Sequence, residues 1–144
     1  MSLADPTSKM SKSHKLERSR ILITDKPEQI RSKIGSALTD SLPGISYDPQ
    51  RRPGVSNLLD IFSIFDPDGR DPESLAKAYA EASPKNLKAV VADVTIEGLS
   101  GIRERYLDLL NRDNYIEKVE ADGAMKARKS AEETMDLVRT AVGL

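Results

Sequence analysis

SPKNLKAVVADVTIEGLSGIRERYLDLL, residues Ser83–Leu110, is the longest periodic run in the chain. Leu87, Val91, Val94, Gly98, Ile102, Tyr106 and Leu109 follow one another at steps of three and four, the spacing of one face of an α-helix. Ser83-Pro84 opens the run with a capping hydroxyl and then a proline, whose missing N–H leaves no helical bond unmade in a first turn. The spacing predicts a helix of about 27 residues, the spine of the fold. Gly98 and Gly101 inside it each cost about 1 kcal/mol relative to alanine, which predicts close approach of another helix or a bend there.

The neighbouring segments read as helices too. Upstream, Asp71 is a cap with Pro72 just inside, and Leu75, Tyr79 and Ala82 share a stripe to about Ser83. Val55, Leu58, Leu59, Phe62 and Phe65 mark a helix ended by Asp66-Pro67-Asp68-Gly69, after a loop punctuated by Pro43-Gly44 and by Tyr47 to Gly54. Asp25 and Glu28 have capping-box spacing around Pro27, and Ile30, Ile34 and Leu38 recur every four residues, which predicts a helix from about Lys26 to Thr39. Downstream, a short helix near Tyr115 to Ala121 precedes a last one from about Gly123 to Val142, with Ala124, Ala127, Ala131, Met135, Val138 and Val142 as its seam and Gly143 past its end. Only Ile21-Leu22-Ile23-Thr24 reads as a strand, and no partner for it is visible in the sequence. The expected architecture is mainly α: a mobile polar loop and one orphan strand over residues 1–25, then a helical bundle over 26–144.

Composition narrows the chemistry. The 144 residues hold no Cys and one His, His14, so disulfides, thiol nucleophiles and histidine-paired metal sites drop out. Aromatic residues make up 4 %, so the core must be aliphatic, and no apolar run approaches the roughly 18 residues of a membrane span. Charge is segregated. Residues 1–35 carry eight Lys/Arg against four Asp/Glu, a balance of +4, whereas the other 109 residues carry −5. The basic front, with Ser8–Arg20 at its centre, suits an anionic ligand, and equally it reads as a solvated terminus.

Within that front Lys9-Met10-Ser11-Lys12-Ser13 spells the second signature of class I aminoacyl-tRNA synthetases. The segments Arg20–Ile34, Ala37–Ser41, Tyr47-Asp48-Pro49, Arg52–Leu59, Ala131–Thr134 and Ala141–Leu144 resemble the tryptophanyl-tRNA synthetases in order and spacing. The resemblance runs from Asp5 to the end. His14-Lys15 stand where the bacterial pattern has Asp-Pro, which resembles the mitochondrial or fungal branch.

This resemblance implies that Lys9 and Lys12 are the catalytic pair, holding charge that accumulates on pyrophosphate as tryptophan's carboxylate attacks the α-phosphate of ATP. Lysine suits a phosphate that moves, since a compact ammonium on a flexible stem can follow it. Met10 is then a packing anchor, and small Ser11 and Ser13 let the loop close, so that Lys9 to Ser13 together make the ATP site, with Mg2+ as the nucleotide's counter-ion. The other signature, the tryptophan pocket and the remaining Rossmann-like strands are expected in an upstream catalytic half, which is also where the orphan strand's neighbours lie. Met1-Ser2-Leu3 then reads as an added leader or a shortened gene start, with a genuine short protein as the other reading.

The resemblance further implies that the helical part is the family's C-terminal region, which recognises the anticodon of tryptophan tRNA. By charge alone Arg51, Arg52, Arg103, Arg105, Arg112, Lys126, Arg128 and Lys129 are candidates for that contact or ordinary solvated surface. Two lysines in water are worth roughly 1–2 kcal/mol, whereas millimolar affinity needs about 4, so the chain alone is expected to bind ATP weakly and not to activate tryptophan. The family's dimer contacts fall mostly in the other half, so a homodimer is expected only of a full-length enzyme, in the mitochondrial matrix or the cytoplasm. The alternative function is a stand-alone helical module that binds tRNA or a protein partner without catalysis.

Overall fold

The computed structural model describes residues 1–143. Those residues form five α-helices: α1 (Pro27–Gly35), α2 (Pro53–Phe65), α3 (Pro72–Ala78), α4 (Pro84–Leu110) and α5 (Tyr115–Val142), with a single 3-10 turn at Glu17–Ser19. The first four each begin on a proline. A proline at this position already has helical φ and lacks only an N–H that would have had no partner. Two starts are capped as their sequences require: the Asp71 carboxylate accepts from the Ser74 amide at 2.7 Å, and the Ser83 hydroxyl accepts from the Asn86 amide at 3.2 Å.

The mainly helical architecture expected from periodicity is present, with α1 and α3 ending earlier than expected, at Gly35 and Ala78, and with three further corrections. Ile21–Thr24 is not a strand, and there is no strand among the described residues; without a neighbouring strand no hydrogen-bonded ladder can form, and Ile23-Thr24 turn toward α1 instead. The cap of α1 lies one residue later than Asp25: the Lys26 amide donates to Gln29 Oε1 at 2.8 Å, while the buried Asp25 carboxylate accepts from the Leu22 amide and from Lys33 Nζ. The two expected C-terminal helices are one. Gly123 meets no neighbour and its cost of about 1 kcal/mol is too small to interrupt α5, which runs from left-handed Asn114 (φ 60°) to left-handed Gly143 (φ 79°). Leu144, the last residue of the resemblance, lies outside the described residues.

The chain divides into two compact units, Met1–Glu104 and Arg105–Leu144, with α4 crossing the boundary. The first unit holds the aliphatic core: Leu3, Ile34, Val55, Leu58, Leu59, Phe62, Leu75, Leu87 and Val91 are essentially inaccessible. Burial of each large side chain removes roughly 1.5–3 kcal/mol of unfavourable hydration. The Phe62 and Tyr79 rings meet at 5.5 Å with planes tilted by 60°. Residues from both segments that the sequence separates at Asp25 and Lys26 pack into this core. The close approach expected at Gly98 is there, since a Cβ at that position would collide with the Phe65 ring; Gly101 has open space around it. In the second unit no residue of α5 is buried, so its seam from Ala124 to Val142 is exposed. Among the described residues no helix is long and apolar enough to cross a membrane.

Candidate functional site

The basic front is a loop held at both ends. The Ser2 amide donates to the Ser8 carbonyl at 2.8 Å and the Leu3 amide donates to the Ser19 carbonyl at 3.0 Å, so residues 9–18 leave and rejoin the body at points fixed by one short segment. That segment is itself anchored: Leu3 is buried, its carbonyl accepts from the Leu38 amide at 2.9 Å, and Asn57 Nδ2 donates to the Ser2 carbonyl at 3.4 Å. The first anchor is reinforced by Asp5, whose carboxylate accepts from the Ser8 hydroxyl at 2.6 Å and from the Thr7 hydroxyl and amide at 2.6 and 3.1 Å. These bonds, Ser8's first, hold the Asp5 carboxyl below its ordinary pKa. At the second anchor Ser19 is buried and its hydroxyl donates to the Leu16 carbonyl at 2.6 Å.

Between the anchors, Lys9, Lys12 and Ser13 are exposed, and Met10 and Ser11 are half-buried. Met10 packs against the aliphatic core. The Ser11 and Ser13 hydroxyls lie 3.1 Å apart, and the His14 amide donates to the Ser11 carbonyl, folding this part of the loop into a turn. Among the described residues neither Lys9 nor Lys12 is engaged in an ion pair. Lys12 thus sits in this turn and Lys9 in the tethered loop just before it, both with their charge unspent among the described residues. His14 has a structural part: its Nδ1 accepts from the Leu16 amide at 3.1 Å, and its carbonyl accepts from Arg20 Nη1 at 2.7 Å.

One candidate cation fits neither the nucleic-acid contact nor the solvated surface that the sequence offered for it. Arg52 is 5 % exposed and each nitrogen of its guanidinium is hydrogen-bonded. Nε lies 3.1 and 3.0 Å from the two Asp40 oxygens, Nη2 lies 2.8 Å from one of them and also reaches the Leu42 and Gly44 carbonyls, and Nη1 reaches Ser46 Oγ. The Asp40 carboxyl is held below its ordinary pKa chiefly by these bonds. Arg52 pins the 40–46 loop against α2, and its burial keeps it from solvent and from a phosphate. Arg51, beside it, is exposed.

Reasoning from the sequence missed the Asp5 anchor, although Asp5-Pro6-Thr7-Ser8 carries the signal: an aspartate followed two and three residues later by hydroxyl donors is turn chemistry. The Ser2–Ser8 and Leu3–Ser19 bonds have no local signature.

Residues 1–100 match the family model of the class I tRNA synthetases (W and Y). Over 144 residues the chain is 40% identical to the tryptophan–tRNA ligase of Gloeobacter violaceus, covering 100% of this chain and 42% of that protein. It is 39% identical to that of Rickettsia conorii over 143 residues, 99% of this chain and 43% of the relative, and 35% identical to that of Bacillus subtilis over 144 residues, 100% and 43%. A crystal structure of tryptophanyl-tRNA synthetase from Mycoplasma pneumoniae superposes with a TM-score of 0.74 at 28% identity, covering 100% of this chain and 43% of that one. The chain spans about two-fifths of the length of these relatives, all of them bacterial. The helical fold, the order of its segments and the match over residues 1–100 agree, and the chain belongs to the class I tRNA synthetases of the tryptophan and tyrosine kind.

Proposed function

We propose that this chain works as the C-terminal part of a tryptophan–tRNA ligase, in which Lys9 and Lys12 hold ATP's departing pyrophosphate during tryptophan activation and the helices contact tryptophan tRNA. The observation that carries this reading is the pair of ammonium groups, without an ion-pair partner among the described residues, on a loop anchored at Ser8 and Ser19. Anchoring matters because a group aimed at developing charge stabilises it without reorganising at the moment of reaction. The ten residues between the anchors can shift over the nucleotide while the anchors stay in place. Ser11 and Ser13, bonded to each other, can turn their hydroxyls outward to phosphate at the cost of one exposed hydrogen bond.

ATP is a substrate here, and Mg2+ enters with it as its counter-ion. The tryptophan pocket and the rest of the nucleotide cleft belong, in this proposal, to the part of the relatives' length that this chain does not span, and a homodimer belongs to such a full-length enzyme. Bacterial relatives suit a translation enzyme of bacterial type, whether in a cytoplasm or in an organelle of bacterial descent such as the mitochondrial matrix. The test is charging of tryptophan tRNA by the amino-terminal portion of the Gloeobacter violaceus relative joined to this chain. Charging supports the proposal; a soluble, folded fusion that binds tryptophan but charges no tRNA overturns it.

A further inference from the structure

In the second unit every residue of α5 is exposed, although the helix is amphipathic. Ala124, Ala127, Ala131, Met135, Val138 and Val142 run down one face over about five turns, and Met135, Val138 and Val142 are 44%, 45% and 65% exposed. Helices in proteins draw most of their stability from packing such a face, so 28 residues with none buried present a surface that takes a partner. The charges say which partner. α5 carries five Lys/Arg against six Asp/Glu, a near-balance that suits neither an anionic lipid surface nor a nucleic-acid backbone, both of which select helices rich in Lys/Arg. The signs are instead ordered in blocks along the helix: residues 117–122 are net acidic, 126–129 basic and 132–136 acidic, and Arg139 is basic again. Laid parallel on a copy of itself, α5 would set each block against its like. Laid antiparallel, it sets each basic block against an acidic one.

The apolar and the ionic residues call for one register. Arg128, Glu132 and Arg139 each follow a seam residue directly and so lie along the same edge of the face, while Glu120 sits on the seam line one turn before Ala124. A two-fold axis between antiparallel helices brings that edge against the same edge of the copy. With Ala127 opposite Ala131 of the second copy, Ala124 faces Met135, Arg128 falls beside Glu132 and Arg139 falls beside Glu120, and the axis makes each contact twice. Alanines at the centre let the helix axes approach to about 8 Å. Arg139 pairs with Asp136 at 3.0 Å, but the two side chains are 54% and 72% exposed, so this pair is worth little and is readily exchanged. We propose that α5 pairs antiparallel with α5 of a second copy of this chain, burying the alanine and valine face, with Arg128 and Arg139 held against Glu132 and Glu120 of that copy. These contacts are separate from those of the dimer expected of a full-length enzyme, which fall mostly in the other half.

The test is sedimentation equilibrium of the full chain at micromolar concentration, compared with two charge-reversed variants, Arg128→Glu/Arg139→Glu and Glu120→Arg/Glu132→Arg. The parent is expected to form a dimer that salt weakens. Each variant alone sets like charges at all four contacts and should self-associate at least about tenfold more weakly. An equimolar mixture of the two variants sets opposite charges at all four again, so it should recover a dimer holding one chain of each kind. Two misfolded helices could not complement each other in this way, so the mixture separates a lost contact from a lost fold. The inference is overturned by a parent that stays monomeric, by variants that associate as the parent does, or by a mixture as weak as its components. A monomeric parent that binds vesicles of phosphatidylcholine and phosphatidylserine would assign the face to a lipid surface instead.

Discussion

Replacing Arg52 by alanine should destabilise the first unit severely, and the size of the loss follows from what the guanidinium touches. It makes three contacts with Asp40 and one each with Ser46 Oγ, the Leu42 carbonyl and the Gly44 carbonyl, all from a side chain 6% exposed. Removing one partner of a buried pair costs about 3–5 kcal/mol, because the remaining charge is stranded. The Asp40 side chain is 22% exposed, so water can recover part of that loss, which places the expected cost near 3 kcal/mol. With a urea slope of about 1.5 kcal/mol per molar, the unfolding midpoint should fall by about 2 M. Circular dichroism of the full chain in urea measures the midpoint. Arg52→Lys should recover only part of the loss, since an ammonium cannot reproduce the planar fork. A midpoint lowered by less than about 0.3 M in Arg52→Ala would refute the structural role and return Arg52 to the solvent-facing cations.

Gly54→Ala should cost at least about 2 kcal/mol, because its Cβ would run into the Leu38 carbonyl and sit 3.1 Å from Thr39 Cα, and backbone cannot step aside as a side chain can; thermal melting reads the loss. Gly101→Ala, with open space around it, should instead stabilise α4 by about 0.5–1 kcal/mol in the same melting experiment. Arg70, hydrogen-bonded to Asp66 at 2.6 and 2.9 Å, holds the Asp66 carboxyl at about 2, down from 3.8. A folded-state pKa below the unfolded value means that this group's stabilisation is complete above about pH 5 and is lost as pH falls through 3.8 toward 2. Asp66→Asn should therefore be less stable than the parent at neutral pH and show a flatter acid profile between those limits. The chain by itself should catalyse no tryptophan-dependent exchange of pyrophosphate into ATP, since two exposed lysines supply roughly 1–2 kcal/mol where millimolar binding needs about 4.

Helix starts were legible because they are written locally. Pro27, Pro72 and Pro84 each mark a first turn, and Asp71 and Ser83 cap theirs as spacing alone requires, whereas Pro53, which reads as the end of a loop, is the first residue of α2. Helix ends were less so, because distant chain competes for the last bonds. The expected end of α1 at Thr39 gives way to Gly35 as the Leu38 amide turns to the Leu3 carbonyl, which leaves the Leu38 side chain 57% exposed. Similarly α3 stops at Ala78 rather than Ser83, and the Ala80 carbonyl accepts from the Ile45 amide instead of continuing the helix. In the candidate site the Lys9–Ser13 motif could be read from five letters, whereas the loop's tethering depends on Ser2, Leu3 and Ser19, whose bonds join residues too far apart for any spacing rule. Arg52 was misjudged for the same reason: its partners at 40–46 form a receptor only when that loop folds back on α2.

The most direct test of the account is pyrophosphate exchange by this chain joined to the amino-terminal portion of the Gloeobacter violaceus relative, with Lys9→Ala and Lys12→Ala made singly and together. Each single change should lower the tryptophan-dependent exchange rate by roughly 10²–10³, the usual loss when one positioned donor to developing charge is removed, while tryptophan binding is unchanged. An undiminished rate in the double variant would contradict the account at its centre.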